Sequence, residues 1–118
     1  REIAQLRTFI ANGTRGDLRD IARKIRPILE GHLRLRFTHQ FQDDEWLGEF
    51  IKKIREADSS SPLSELQGDP LTEITNINDY TKKNHHQAEL AAYVRRTLKF
   101  VGSCCSPIIT RYRCFLCS

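Results

Sequence analysis

An all-α compact bundle of about five helices, with a kinked long second helix, is the fold class predicted for this 118-residue chain. Three observations predict it. Apolar residues recur at three- and four-residue intervals over several stretches. Cap and turn signals separate those stretches. No stretch between turns alternates in the β-branched manner of a strand, and Leu33-Arg34-Leu35-Arg36-Phe37 continues a helical pattern instead.

Residues 2–11 read as a short amphipathic helix with Ile3, Leu6, Phe9 and Ile10 on one side. Asn12-Gly13 ends it, since glycine takes the left-handed conformation of a helix stop at little cost. Asp17 is a good N-cap for a second helix running to about Phe37, in which Leu18, Ile21, Ala22, Ile25, Ile28, Leu29 and Leu33 follow helical spacing. Pro27 lies inside it and predicts a kink. After a polar connector, a third helix over about Glu45 to Ala57 is expected to bury Trp46, Leu47, Phe50, Ile51 and Ile54. Asp58 to Pro62 is a loop by composition, and Leu63 to Leu66 fits a single turn. Asp69-Pro70 predicts a fourth helix, Asp capping and Pro in the first position, extending to about Asn84 or His85. The fifth is expected over about Gln87 to Val101, with Leu90, Val94, Leu98 and Val101 inward.

At 39% hydrophobic and 29% charged, the chain has the composition of a folded domain rather than a disordered one. No run of eighteen apolar residues offers a membrane span, and the amphipathic, charged start is not a secretory signal. The chain opens on Arg1 and contains no Met, as expected for a fragment or a processed product. Two regions are expected: a helical domain over residues 1–101, and a tail over 102–118 that holds Cys104, Cys105, Cys114 and Cys117. The tail is either a real extension or vector- or frameshift-derived sequence. A Cys114-x-x-Cys117 pair near two further thiols suits zinc, but adjacent cysteines are poor partners for one tetrahedral ion, so no metal site is expected. A body without cysteine implies a cytoplasmic protein held together by packing.

The net charge is +4, from 19 Lys and Arg against 15 Asp and Glu. The tail supplies Arg111 and Arg113, so the body has 17 against 15 and its total charge does not argue for nucleic acid. Its distribution says more. Arg19, Arg23, Arg26, Glu30 and Arg34 step by four, three, four and four, which stacks four guanidinium groups and one carboxylate along one helix. Guanidinium groups match phosphate geometry. The simpler reading is a solvated helix face in which Arg26 and Glu30 form an i,i+4 ion pair.

A second constellation is Asn78-Asp79-Tyr80-Thr81-Lys82-Lys83-Asn84-His85-His86. Ile74, Asn78, Thr81 and His85 share one helical face, aligning an amide, a hydroxyl and an imidazole. Only one of His85 and His86 can join that stripe. Histidine suits proton transfer near neutral pH. The simpler reading is a histidine pair favoured by the negative end of a helix. An Arg, a Glu and a His on two packed helices suit metal-free RNA cleavage, in which histidine moves a proton, arginine stabilises phosphate charge and glutamate orients the arginine or serves as the second acid–base group. Asp43, Asp44 and Glu45 are contiguous, point in different directions and make no metal cluster.

Four segments look familiar as a set: Ile25-Arg-Pro-Ile-Leu-Glu-Gly-His-Leu-Arg-Leu-Arg-Phe37, Leu47-Gly-Glu-Phe-Ile51, Ile77-Asn-Asp-Tyr80 with His85-His86, and Ala88 to Phe100. Together they resemble the C-terminal helical region of bacterial AAA/ABC-type ATPases related to the PrrC/RloC anticodon nucleases, whose effectors are grouped with the HEPN superfamily of RNases. The resemblance covers about Asp17 to Val101, and RPxLE and NDY…HH are its most specific parts. It implies a metal-independent endoribonuclease effector of a defence or toxin-type ATPase, acting on tRNA or another structured RNA without a cofactor. It places the catalytic set at Arg26, Glu30 and His85 or His86, with Asn78 beside them; the basic residues Arg19, Arg23, Arg34, Lys82 and Lys83 are the RNA contacts expected from the charge pattern. The implied partners are RNA, the parent ATPase domain and a second copy of the chain. With no GxxxxGK[ST] phosphate loop, no ATPase activity is expected. Two rivals use the same bundle without catalysis: an interaction or dimerisation module, and a plain nucleic-acid-binding module predicting steep salt dependence.

Overall fold

Residues Ala22, Ile25, Ile28, Leu29 and Leu33 recur every three or four positions, so a helix through them presents one continuous apolar side. The computed structural model describes residues 2–83 and 86–102. In it these five side chains are buried, and their helix is the centre of the domain. The helices are α1 (Glu2–Ala11), α2 (Leu18–Arg36), α3 (Leu47–Glu56), α4 (Asp69–Thr81) and α5 (Gln87–Gly102), with a 3-10 turn at Pro62–Leu66 between α3 and α4. No strand occurs among the described residues, and the protein is all-α. None of these helices is long and apolar enough to cross a membrane. The predicted cysteine tail and His85 lie outside the described residues, apart from Gly102, which ends α5.

α2 packs against α1, α3, α4 and α5. Leu6, Ile25, Leu29, Leu33, Phe50, Ile54, Ile74, Ile77 and Leu90 are fully buried around it. Each such side chain contributes roughly 1.5–3 kcal/mol by leaving water. Asp17 caps α2 by accepting from the amides of Arg19 and Asp20 at 3.1 and 3.3 Å. α2 continues through Pro27 to Arg36; the proline has no N–H to offer the carbonyl of Arg23 one turn earlier. Gly13 takes φ 74 after α1, in the left-handed region its place at the helix stop requires.

Three boundaries differ from expectation. α4 is capped by Gly68, at φ 89 and ψ −133, so Asp69 occupies the first helical turn instead of the cap. α4 also stops at Thr81, before Asn84: the amide of Lys82 turns back onto the carbonyls of Asp79 and Tyr80. α3 begins at Leu47 rather than Glu45, for a reason that lies in α2 and shapes the site below.

Candidate functional site: a basic cleft with an exposed tryptophan

Two polar side chains of α2 hold the start of α3. Glu30 is only 5% exposed, and its Oε2 accepts the amide of Leu47 at 2.7 Å. Trp46 is the N-cap residue of α3 and its side chain makes no capping bond. Glu30 therefore supplies, from a neighbouring helix, a partner that the first turn of α3 otherwise lacks. One turn further along α2, Arg34 Nη2 donates to the carbonyl of Glu45 at 2.6 Å and to that of Asp43 at 3.5 Å. The Arg34 guanidinium also lies 4.9 Å over the ring of Phe50, which stacks on Phe41 at 3.9 Å. The Glu45 carbonyl belongs to the peptide before Trp46, and the Leu47 amide to the peptide after it. Both peptide groups of Trp46 are thus fixed to α2.

The connector is tied down from its other side as well. Glu45 Oε1 accepts from the Gln42 amide and from Lys53 Nζ, each at 2.6 Å. The Gln42 amide, and after it the Lys53 ammonium, hold the Glu45 carboxyl below the usual carboxylate range.

The expected burial of Trp46 does not occur: it is 60% exposed. Helical spacing from residue 46 to Phe50 predicts burial only if residue 46 is helical. It sits instead in extended backbone, at φ −110 and ψ 175, so its indole leaves the face that Leu47, Phe50, Ile51 and Ile54 bury.

The indole lines an open cleft of about 970 Å³ between the outer face of α2, the start of α3 and the end of α4. From α2 come Arg19, Arg23, Arg26 and Glu30, in the order the spacing predicts, over a floor that includes Leu18, Ala22 and Pro27. From the end of α4 come Thr81 and Lys83. Arg19 and Arg23 are exposed, Arg26 is half-buried and Glu30 is buried, so the stripe descends from the rim into the protein. The expected Arg26–Glu30 ion pair is absent among the described residues, and the buried Nε of Arg26 has no hydrogen-bond partner there. Four cations line the cleft against one carboxylate, and that carboxylate is already bonded to the amide of Leu47.

The other predicted residues are distributed as follows. Arg34 is on the main chain of the connector, where its Nη2 is bonded to carbonyls and its buried Nε has no partner among the described residues. Lys82 is exposed beside Lys83 at the end of α4. Asn78 is 3% exposed among the core side chains of α4, and its Oδ1 finds no partner among the described residues. The hydroxyl of Thr81 bonds back to the carbonyl of Asn78 at 2.6 Å. His86 is exposed at the N-terminal side of α5, where its carbonyl accepts from Leu90 at 2.8 Å. A helix N-terminus is the positive end, so the simpler dipole reading does not explain His86. The structure therefore brings Arg19, Arg23, Arg26, Glu30 and Lys83 together, and does not bring Asn78 into the cleft.

Sequence reasoning missed two residues. Helical spacing places Trp46 in the core. His32 carries no functional motif, although it follows Ile25 and Leu29 by seven and three residues, the spacing of an inward position. It is 1% exposed, and its ring meets the ring of Phe100 edge-on at 5.6 Å. Burial, and then the charge of Arg36, hold its pKa down at about 4. The described residues contain no group of three or more His, Cys, Asp or Glu side chains arranged to hold a metal ion. No protein-family model, curated protein or solved structure gives a significant match to the chain.

Proposed function

We propose that this domain is an RNA-binding effector module whose α2–α3–α4 cleft holds the phosphate backbone. The observation that carries the proposal is the cluster of Arg19, Arg23, Arg26 and Lys83 around one cleft, opposed among the described residues that line it by the single carboxylate of Glu30, whose Oε2 holds the start of α3. Guanidinium groups form paired hydrogen bonds to phosphate oxygens, and a lysine adds a mobile point charge. Arg26 is the deepest of the three arginines, and its buried Nε has no hydrogen-bond partner among the described residues. The resemblance to effector domains of anticodon-nuclease-type ATPases favours RNA over other polyanions.

Binding of labelled tRNA, followed by anisotropy over a salt series, tests the proposal. If the four cations each neutralise a phosphate of a single-stranded segment, the log–log salt slope is about −3. An Arg23→Ala variant should flatten the slope by about 0.7 while leaving the fold intact, since that side chain is exposed. A slope near zero, or an Arg23→Ala variant that binds as the wild type does, removes the reading.

A second reading, cleavage of the bound RNA, is favoured by one observation: Arg26 and Glu30 enter the same cleft without pairing with each other. Oε2 of Glu30 bonds the Leu47 amide, and Oε1, for which the described residues show no hydrogen bond, is the oxygen this reading uses as the acid–base group. In this reading Arg26 stabilises charge on the phosphate, Glu30 shares the proton transfers, and a histidine following Lys83 completes the set. Incubation of tRNA with EDTA tests it with Arg26→Ala and Glu30→Gln variants beside the wild type. The glutamine keeps an acceptor for the Leu47 amide, so loss of cleavage there reports chemistry and not the helix cap. Intact RNA with wild-type protein, at concentrations where it is fully bound, leaves the binding module alone.

A further inference from the structure

The exposed indole is not accounted for by a cleft that binds phosphate alone. Trp46 is the chain's single tryptophan and, with Leu35, one of two large apolar side chains left exposed among the described residues. An exposed Leu is ordinary, whereas an indole 60% open to water in a cleft that four cations also line is not. The surrounding structure also holds it there. Glu30 binds the amide after it at 2.7 Å and Arg34 binds the carbonyl before it at 2.6 Å, so its backbone is fixed from both sides. With the main chain anchored this way, a flat partner that covers the indole has only its two side-chain torsions left to order.

We infer that Trp46 is a stacking platform for an unpaired base, and that the cleft takes a single-stranded RNA segment in preference to a duplex. This deepens the RNA-binding reading and rests on it. The arginines and Lys83 follow the backbone, while the indole takes the face of one base. That combination of cations and an aromatic surface is how single strands are held without sequence selection, because every base has a π-face. In a duplex the base faces are covered by their neighbours, so a duplex keeps the phosphate contacts and loses the stack. Glu30 and Arg34 act in this scheme as positioning residues: they touch the peptides of Trp46, not the RNA.

The test uses an unstructured 12-nucleotide RNA of mixed sequence, alone and annealed to its G·C-containing complement, at a salt concentration where the duplex stays intact. Two signals are read: the fluorescence of Trp46, which needs no deconvolution from another indole, and the anisotropy of labelled RNA. The single strand should quench Trp46 and bind more tightly than the duplex. Trp46→Ala should weaken single-strand binding roughly 5- to 100-fold, the size of one base stack, and change duplex binding less than twofold. Trp46→Phe should restore part of the difference. Arg34→Ala should reduce the single-strand to duplex ratio without altering duplex affinity, an effect that a general loss of stability would not produce. If both RNAs bind with the expected salt dependence but Trp46→Ala weakens them equally or not at all, the stacking inference falls and the phosphate-binding reading stands. If neither RNA binds, both fall. A blue shift of Trp46 emission that rises with protein concentration in the absence of RNA, with sedimentation of a dimer, also overturns the inference, since a second copy would then cover the indole.

Discussion

Lowering the pH from 7 to 5 should cost this domain about 2 kcal/mol of folding free energy through His32 alone, as its pKa of about 4 in the fold against 6.5 when exposed implies. The sign follows from which state takes the proton first. In the unfolded chain His32 is hydrated and protonates near 6.5. In the folded protein it is 1% exposed beside Phe100 and one turn from the positive Arg36, and stays neutral to about 4. The folded pKa is depressed, so the full stability is present above pH 6.5. It is lost as the pH falls from there towards 4, and the loss levels off below that. Integrated over the whole window, it amounts to about 3 kcal/mol.

Urea melts followed by far-ultraviolet circular dichroism at pH 7.5, 6, 5 and 4 give the curve, and His32→Phe isolates the contribution. Phenylalanine keeps a ring against Phe100 and removes both the titration and a buried nitrogen, Nε2, that has no hydrogen-bond partner among the described residues. The variant should match or exceed the wild type at pH 7.5 and stay level down to pH 5. Glu45, Asp58 and Glu73 have lowered pKa values, so their stabilisation is present above their ordinary values of 4.5, 3.8 and 4.5 and begins to fall only near or below those. The interval from pH 6.5 to 5 thus separates the histidine from the carboxylates. If wild type and His32→Phe lose stability in parallel across that interval, burial of His32 is not the cause of the acid sensitivity.

Three further outcomes are expected. Glu30→Ala leaves the amide of Leu47 without its buried partner and should lower stability by about 1–3 kcal/mol in urea melts, whereas Glu30→Gln, which keeps an acceptor, should cost less. Gly68→Ala should destabilise by roughly 1–3 kcal/mol through backbone strain alone, because φ 89 with ψ −133 is a conformation that residues with a Cβ rarely adopt and an added Cβ meets nothing within 4 Å. Gln67→Ala removes the side-chain amide that donates to the carbonyls of Ile54 and Ala57 at the end of α3, at 2.9 and 2.7 Å, and should cost about 1 kcal/mol, measured as earlier hydrogen exchange in that last turn.

Where an element is defined by its own residues, the sequence was enough. α1 ends as Asn12-Gly13 predicts, and α2 begins as Asp17 predicts, because a stop and a cap act over a few positions. α3 was misplaced because its first partner, Glu30, lies seventeen residues away and on another helix. No local pattern around Trp46 carries that information. α4 was predicted too long for a related reason. Nothing from Thr81 to His86 is a helix breaker, and the helix ends by tightening, with Thr81 and Lys82 bonding back to carbonyls three residues or fewer behind them.

The site divides along the same line. Arg19, Arg23, Arg26 and Glu30 were legible as a set because one helix orders them, while the arrival of Lys83 and Trp46 depends on how three helices pack. What spacing does not show at a glance is that the stripe is not parallel to the helix. At about 100° per residue, the fifteen positions from Arg19 to Arg34 turn the stripe about 60° past four full turns. The same polar row therefore starts at the exposed rim of the cleft with Arg19 and Arg23, sinks into it at Arg26, passes inside the protein at Glu30 and reaches the connector at Arg34. Four arginines of similar appearance thus divide between two tasks. The first three remain available to a ligand, and the fourth, with the carboxylate between them, fixes the backbone of the one aromatic side chain that the ligand would meet.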